Sequence, residues 1–124
     1  MTIKDIIETV KRVNPSVYED ELLIDWLSRI EWKIKREIID KHVGAEDIVF
    51  EGYTAEDEDK TPIAPPPYDE LYVHYLCAQI CFFNGEYARY QAYMSMHNSV
   101  YTSYAAWYNE EHKSKKILFN FFGR

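Results

Sequence analysis

Three side chains that could bind a soft metal ion follow one another on a predicted helix. His74, Cys77 and Cys81 are separated by three and four residues, a spacing that places an imidazole and two thiols on one helical face. A structural zinc site needs a fourth ligand, and none is evident. We therefore expect free thiols that pack as small apolar residues in a reducing compartment. The alternative is a small helical metal-binding protein or enzyme that uses these three residues.

Other signatures of catalysis are missing from the sequence. The four glycines, Gly44, Gly52, Gly85 and Gly123, stand apart, so they form no glycine-rich phosphate loop. No Glu-x-x-His pair occurs, which excludes the carboxylate-bridged di-iron bundle. His97 lies within a row of tyrosines, and we interpret it as a hydrogen-bonding core or interface residue. The prediction is a protein that is not an enzyme and carries no cofactor.

The residues from Glu86 to His112 predict a long helix with two apolar rows. The first row, with alternating spacings of three and four, consists of Tyr87, Tyr90, Met94, His97, Tyr101, Tyr104 and Tyr108. The second row consists of Tyr93, Met96, Val100 and Trp107. Tyrosine combines a large ring with a hydroxyl that needs a partner or water, which suits half-buried surfaces. We interpret the second row as a subunit or partner interface; the alternative is a helix buried in a monomer core.

The length and the helical periodicity together predict one all-α domain. A chain of 124 residues can bury a single core. Capping signals and apolar spacing predict four main helices near residues 2–13, 17–42, 68–84 and 86–112. The first two signals are Thr2 with Asp5 and Ser16 with Glu19. We expect a four-helix bundle over residues 1–112, with a long acidic, proline-rich loop between its second and third helices, followed by a C-terminal docking tail over residues 113–124.

Negative charge is concentrated in one segment, residues 46–59, which we call the acidic segment. It holds seven of the 21 acidic residues and no base, so the rest of the chain balances 14 acids with 14 bases. Its densest part is Glu56, Asp57, Glu58 and Asp59. We expect this segment to face solvent or a channel, where it repels phosphates. No helix supplies a basic face, so tight nucleic-acid binding is not expected.

Two local interpretations depend on short patterns. Charges alternate in sign from Arg29 to Asp40, Glu31 included, which predicts a solvated or subunit-facing surface of the second helix. Residues 48–53 fit either a short strand or another helical turn.

The C-terminal tail changes from basic to aromatic. Lys113, Lys115 and Lys116 precede the apolar residues Ile117, Leu118, Phe119, Phe121 and Phe122. Each large apolar side chain left in water forgoes about 1.5–3 kcal/mol of burial. We therefore expect Phe119, Phe121 and Phe122 to dock, either on their own subunit or on a neighbouring subunit or assembly partner.

The chain lacks the signals of membrane insertion or export. No apolar run reaches the length of a membrane span, and the first residues lack the apolar core of a signal peptide. We expect the protein to stay in the cytoplasm, with no membrane partner.

Several stretches resemble one protein family. They are Ile24-Asp25-Trp26-Leu27, residues 34–39 with His42, residues 67–72, Tyr75-Leu76, residues 84–87, Arg89-Tyr90, residues 98–104 and residues 106–109. This pattern, from about Ile3 to His112, resembles the small head-tail connector, or adaptor, proteins of tailed bacteriophages and prophages. The acidic segment and the tail have no counterpart in the resemblance.

The resemblance implies an all-α ring subunit of the virion neck. In that family, copies of a small helical bundle form a ring beneath the portal protein, carry the tail-side neck or stopper protein and let DNA pass. The implied contact with DNA is passing and non-specific, and no catalytic residue is implied. The implied location is the virion neck, and the host bacterial cytoplasm during assembly. A monomeric binding module for a host protein is a second alternative.

Overall fold

The computed structural model describes residues 1–112, which form four α-helices. They are α1 (Ile3–Val13), α2 (Asp20–Glu37), α3 (Glu70–Phe83) and α4 (Tyr87–Glu111). Three short 3-10 helices, Ile39–Lys41, Ala45–Asp47 and Ala55–Asp57, lie between α2 and α3. No strand occurs within residues 1–112. The predicted all-α fold with four main helices is confirmed.

The two predicted capping signals have different outcomes. At the start of α1, Asp5 donates its backbone N–H to the Thr2 hydroxyl at 3.1 Å, and Thr2 donates to the Asp5 carboxylate at 3.0 Å. This capping box is confirmed. The capping signal predicted at Ser16 is wrong, because α2 begins at Asp20 and the Ser16 hydroxyl accepts instead from the backbone of Tyr18 at 3.3 Å. A serine that binds the backbone two residues ahead favours a turn over a helix start.

The third helix lies at the centre of the bundle. It is buried on more than one face, through Leu71, Tyr72, Val73, Leu76, Cys77, Ala78, Ile80 and Cys81. Residues of α1, α2 and α4 share one core cluster with α3. A helix that is apolar around most of its circumference must be covered on most sides, which explains this central position.

A tight turn joins α3 to α4. Gly85 has a φ of 76° and donates to the Phe82 carbonyl, while the next residue, Glu86, donates to the Cys81 carbonyl at 2.8 Å. This pair of hydrogen bonds is a Schellman motif, which satisfies the last free carbonyls of a helix and needs a left-handed residue such as glycine. The motif folds α4 back against α3.

The loop between α2 and α3 is anchored to both α1 and α2. Residues 48–53 form neither the strand nor the helical turn that the sequence left open. The Tyr53 backbone donates to the Ser28 hydroxyl of α2 at 2.8 Å. Farther along, the carbonyls of Glu58 and Lys60 accept the N–H groups of the first turn of α1. The loop thus satisfies donors that a helix start leaves free.

Candidate assembly surfaces

The tyrosine row of α4 passes from solvent into the core along the helix. Tyr87, near its start, is 61% exposed, whereas His97, Tyr104 and Tyr108 are buried. The other members, Tyr90, Met94 and Tyr101, are half-buried. The second half of α4 therefore belongs to the core, while the first half leaves aromatic surface in contact with water.

His97 is a packing residue of this row. Its Nδ1 atom lies 2.8 Å from the Leu71 carbonyl, and the rings of Tyr75 and Tyr101 lie 5.3 and 5.7 Å from the imidazole. Burial lowers the pKa of His97, against the opposing effect of the Leu71 carbonyl. A neutral imidazole whose Nδ1–H donates to this carbonyl fits that environment.

The second row of α4 lies at the edge of the core. Tyr93, Val100 and Trp107 are half-buried and pack against core residues. The Trp107 ring lies 5.5 Å from the ring of Tyr68 and 6.1 Å from that of Tyr104. Met96 differs from the other three because 43% of it is exposed. Of the row proposed as an interface, Met96 presents the most open surface to a partner.

The end of α4 is attached to the end of α2. The Nε2 atom of His42 lies 2.8 Å from the side-chain oxygen of Asn109, and its Nδ1 atom lies 2.5 Å from the Ile38 carbonyl. The ring of His112 stacks on that of Tyr108 with centroids 3.7 Å apart. The C-terminal end of α4 is therefore held beside His42, where the loop between α2 and α3 begins.

An exposed aromatic cluster, absent from the sequence-based predictions, lies at the turn between α3 and α4. We call it the aromatic end cluster, and it consists of Phe82, Phe83 and Tyr87, in which the Phe82 ring contacts the other two. Phe83 is 58% exposed and Val17, in the neighbouring turn between α1 and α2, is 91% exposed. The Phe-Phe pair directly before Asn84-Gly85 does not by itself reveal the cluster, because other adjacent pairs of α3, such as Leu71 and Tyr72, are both buried.

Stacking and hydrogen bonds hold the aromatic end cluster in place. The Phe83 ring stacks on Trp26 of α2 with centroids 5.4 Å apart and planes 3° from parallel. The Tyr18 hydroxyl donates to the Asn84 side chain at 2.9 Å, which joins the two turns. Phe82 contacts the rings of Tyr87 and Tyr90. The exposed rings are thus presented on an ordered support.

Glu31 lies in the core, so its predicted place on a solvated face of α2 is wrong. Its side chain is fully buried. One carboxylate oxygen accepts from the Tyr53 hydroxyl at 2.5 Å and from the Ile63 backbone at 3.0 Å. The other accepts from the Tyr72 hydroxyl at 2.6 Å. Burial raises the pKa of Glu31, and these hydrogen bonds oppose that rise.

A cleft of about 580 Å³ is formed by the loop between α2 and α3. Its apolar lining comes from Val49, Phe50, Tyr53 and Ile63, and its polar lining includes Glu51, Thr54, Asp57, Lys60 and Thr61. The Phe50 ring lies 4.8 Å from Trp32 of α2 and 4.8 Å from Tyr53. The cleft lining therefore combines aromatic rings, one of them packed against α2, with the carboxyl groups of Glu51 and Asp57.

Most carboxylates of the acidic segment face water. Glu56, Glu58 and Asp59 are exposed, as predicted for a solvent-facing loop. Asp57 is half-buried, pairs with Lys60 at 2.9 Å and accepts from the Thr54 backbone at 2.7 Å. The bond with Lys60 and the Thr54 backbone hold the pKa of Asp57 below its ordinary value. Asp57 thus has a structural role that its three neighbours lack.

The proposed metal ligands on α3 do not converge. Cys77 and Cys81 are buried free thiols, and the Asn14 amide donates to the Cys81 sulfur at 3.5 Å. Burial raises the pKa of Cys77 to about 12, which disfavours the thiolate that binds metals. Within residues 1–112, no group of three or more His, Cys, Asp or Glu side chains is placed to hold a metal ion. The alternative based on His74, Cys77 and Cys81 gains no support.

The proposed tail contacts Phe119, Phe121 and Phe122 lie outside the described residues. Within the described part of the chain, no helix combines the length and apolar character needed to cross a membrane. Comparison of the chain with protein families, curated proteins and solved structures finds no match.

Proposed function

We propose that this protein is a structural subunit of a bacteriophage or prophage neck. Copies of it form a homo-oligomeric ring that joins the portal protein to a tail-side neck or stopper protein and lets DNA pass. The observation that carries the proposal is the aromatic end cluster, held exposed at one end of an ordered helical bundle. The resemblance to head-tail connectors supplies the specific setting.

The exposure of the aromatic end cluster favours a role in assembly. Contiguous exposed apolar surface marks sites of protein interaction, and large aromatic residues are enriched in the energetically dominant part of interfaces. The Phe83 ring stacks on Trp26 and the Tyr87 ring contacts Phe82, so both exposed rings already have packing partners. Binding to a preorganised surface loses less conformational entropy.

Ring closure requires two different faces on each subunit. A heterologous interface brings one patch of a subunit against a second patch of the next, and it closes when the rotation between copies is right. The aromatic end cluster and exposed Met96 provide apolar surface on α3 and α4. The exposed charged residues of α2, with half-exposed Trp32, provide a chemically different face.

The charge distribution suits a ring through which DNA passes. The exposed carboxylates of the acidic segment repel phosphates. A channel lined by such groups lets DNA slide, whereas a basic lining would retain it through counterion release. The proposed contact with DNA is therefore transient and independent of base sequence.

The proposal is tested by the oligomeric state of the full-length protein. Light scattering coupled to size-exclusion chromatography over a range of concentrations measures the mass, and negative-stain electron microscopy shows the shape. We expect a concentration-dependent oligomer with closed rings, or rings that form when portal protein is added. A monomer at every concentration, with no binding to portal protein, contradicts the proposal.

A second candidate is a monomeric binding module for a host protein. The aromatic end cluster favours it as well, since one exposed patch can serve a single partner. The two functions differ in stoichiometry. A module binds its partner one to one and stays monomeric alone, whereas a ring subunit associates with copies of itself.

A further inference from the structure

The cleft beside the acidic segment is bordered by backbone N–H groups that have no acceptor within the described residues. The N–H groups of Val49, Phe50, Glu51 and Gly52 donate no hydrogen bond within residues 1–112, whereas Tyr53, the next residue, donates to Ser28. The Val49 side chain, which lines the cleft, is 76% exposed. An exposed apolar side chain, and backbone amides that no described residue accepts from, beside an apolar cleft are suited to receive another segment of chain.

We propose that this cleft binds the C-terminal segment of the same molecule, residues 113–124. Phe119, Phe121 and Phe122 enter the apolar part of the cleft, and Lys113, Lys115 and Lys116 face the acidic segment. This inference goes beyond the proposed function and does not depend on ring formation. It gives one structural role to the cleft and to the C-terminal segment, neither of which has a role in the proposed neck function.

Charge complementarity supports this pairing. The C-terminal segment carries three lysines and Arg124 without an acid, and the acidic segment carries seven acids without a base. Within residues 1–112, Asp57 is the member of the acidic segment that forms an ion pair, with Lys60. The segment thus has carboxylates available for basic partners. Burying the three phenylalanines offsets the cost of ordering the chain.

The C-terminal segment is long enough to reach the cleft from the end of α4. The C-terminal segment starts after His112, whose ring lies 6.2 Å from that of His42. Trp32, which contacts Phe50 at the cleft, precedes His42 by ten residues, which continue α2 to Glu37 and then form the 3-10 helix Ile39–Lys41; at about 1.5–2.0 Å of rise per residue they span less than about 20 Å. Phe119 follows His112 by seven residues and reaches about 23 Å when extended. The phenylalanines therefore reach the cleft of their own subunit.

Tethering favours the same molecule over a neighbour. A short linker that spans its two sites gives an effective concentration in the millimolar range. Docking within one molecule thus precedes exchange with a second copy at dilute concentration. The experiment must distinguish these two sources of the same segment.

Zero-length crosslinking of the unmodified full-length protein tests the pairing. A carbodiimide joins lysine amines to carboxylates in contact, and the pairs Lys11–Asp20 and Lys60–Asp57 serve as internal controls, at 3.0 and 2.9 Å. In a mixture of ¹⁴N and ¹⁵N protein, we expect links from Lys113, Lys115 or Lys116 to residues 46–59 within one isotope. Links of mixed isotope assign the segment to a neighbouring copy. Links to other carboxylates, or none while the controls form, overturn the inference as well.

A salt series separates docking in the cleft from charge attraction alone. At about 1 M salt, free charges are screened beyond about 3 Å. We expect the links of the wild-type protein to persist there, and those of a variant with Phe119, Phe121 and Phe122 replaced by Ser to fall several-fold. Equal loss in both proteins would show that the phenylalanines do not dock.

A charge exchange provides a second control. The variant Lys113→Glu, Lys115→Glu and Lys116→Glu should lose the protection that docking gives to the cleft, measured by hydrogen exchange of the amides in residues 49–52. Adding Glu56→Lys, Glu58→Lys and Asp59→Lys should restore it, with Asp57 kept because it pairs with Lys60. Unchanged exchange in the first variant contradicts the inference.

Discussion

The Tyr72 hydroxyl donates to the Glu31 carboxylate at 2.6 Å, at a point where both side chains are fully buried. Tyr53 and Ile63 bind the second oxygen of the same carboxylate. One charged group of α2 thereby holds α3 and two points of the long loop. Since each donor is buried or half-buried, removing the carboxylate would leave these donors without a partner.

The first prediction concerns the pH dependence of Glu31. Burial raises its pKa above the ordinary value of 4.5, so the native state binds the proton more readily than the unfolded state. The resulting contribution to stability is complete below the ordinary value and is lost as pH rises through the raised pKa. We expect the free energy of unfolding of the wild type, relative to Glu31→Gln, to decrease over that range.

Urea denaturation of both proteins at a series of pH values measures this difference. A difference that stays constant with pH would show that Glu31 titrates normally. As a contrast, Glu31→Leu should destabilise the protein at every pH, because each unpaired buried donor costs about 1–3 kcal/mol.

The second prediction separates assembly from folding at the aromatic end cluster. Replacing Tyr87 of the cluster and exposed Val17 of the neighbouring turn by Ser should weaken self-association or portal binding by about 1 kcal/mol or more, the cost of truncating a hot-spot residue of an interface. The free energy of unfolding of the monomer should change by less than about 0.5 kcal/mol, since both side chains are exposed. Sedimentation and denaturation measure the two quantities.

The matched control for that variant is Val43→Ser, which changes an exposed valine outside the cluster. It should leave association unchanged. Equal effects of the two variants on association would remove the special role of the cluster.

The third prediction distinguishes Trp107 from Met96 in the second row of α4: the first stabilises the fold and the second takes part in association. Trp107→Ala should lower the melting temperature, because the ring packs against Tyr68 and Tyr104, and large-to-small changes in packed regions cost about 2 kcal/mol or more. Met96→Ala should leave the melt nearly unchanged and weaken association. If Trp107→Ala melts like the wild type, the row faces outward as the sequence pattern indicated.

The fourth prediction concerns the acidic segment. Replacing Glu56, Glu58 and Asp59 by their amides should change the free energy of unfolding by less than about 0.5 kcal/mol, because these side chains are exposed. Asp57→Asn should lower the melting temperature, because Asp57 pairs with Lys60 and accepts from Thr54. Thermal denaturation measures whether Asp57→Asn lowers the melting temperature more than the triple variant does.

In phage that carry the triple variant, packaging or ejection of DNA should slow if the segment lines the channel. Unchanged infectivity would leave the segment as a solvated surface. A melting temperature that falls further for the triple variant than for Asp57→Asn would contradict the structural distinction between them.

The helices could be predicted from the sequence because the signals that define them are local. The capping box of Thr2 and Asp5 and the turn at Asn84-Gly85 act within a few residues. Apolar spacing then identified the helical segments, and the predicted bounds differ from α1, α3 and α4 by one or two residues. The second helix ends earlier than predicted, at Glu37, because the chain continues as a 3-10 turn.

Long-range contacts decided what the pattern could not. Alternating charge placed Glu31 on a solvated face, but the loop crosses that face and covers it with Tyr53 and Ile63. Helical periodicity specifies which residues share a face, and it does not specify what lies opposite. The same limit applied to Trp107, which meets Tyr68 from the distant loop.

The amino-acid sequence by itself determined the all-α class, the four main helices and the concentration of acids in one exposed segment. Only the tertiary structure decided that Glu31 is buried, that Trp107 packs against Tyr68 and that Phe83 reaches the surface. The physical reason is that helix formation depends on neighbours three or four residues apart, whereas burial depends on which distant elements meet.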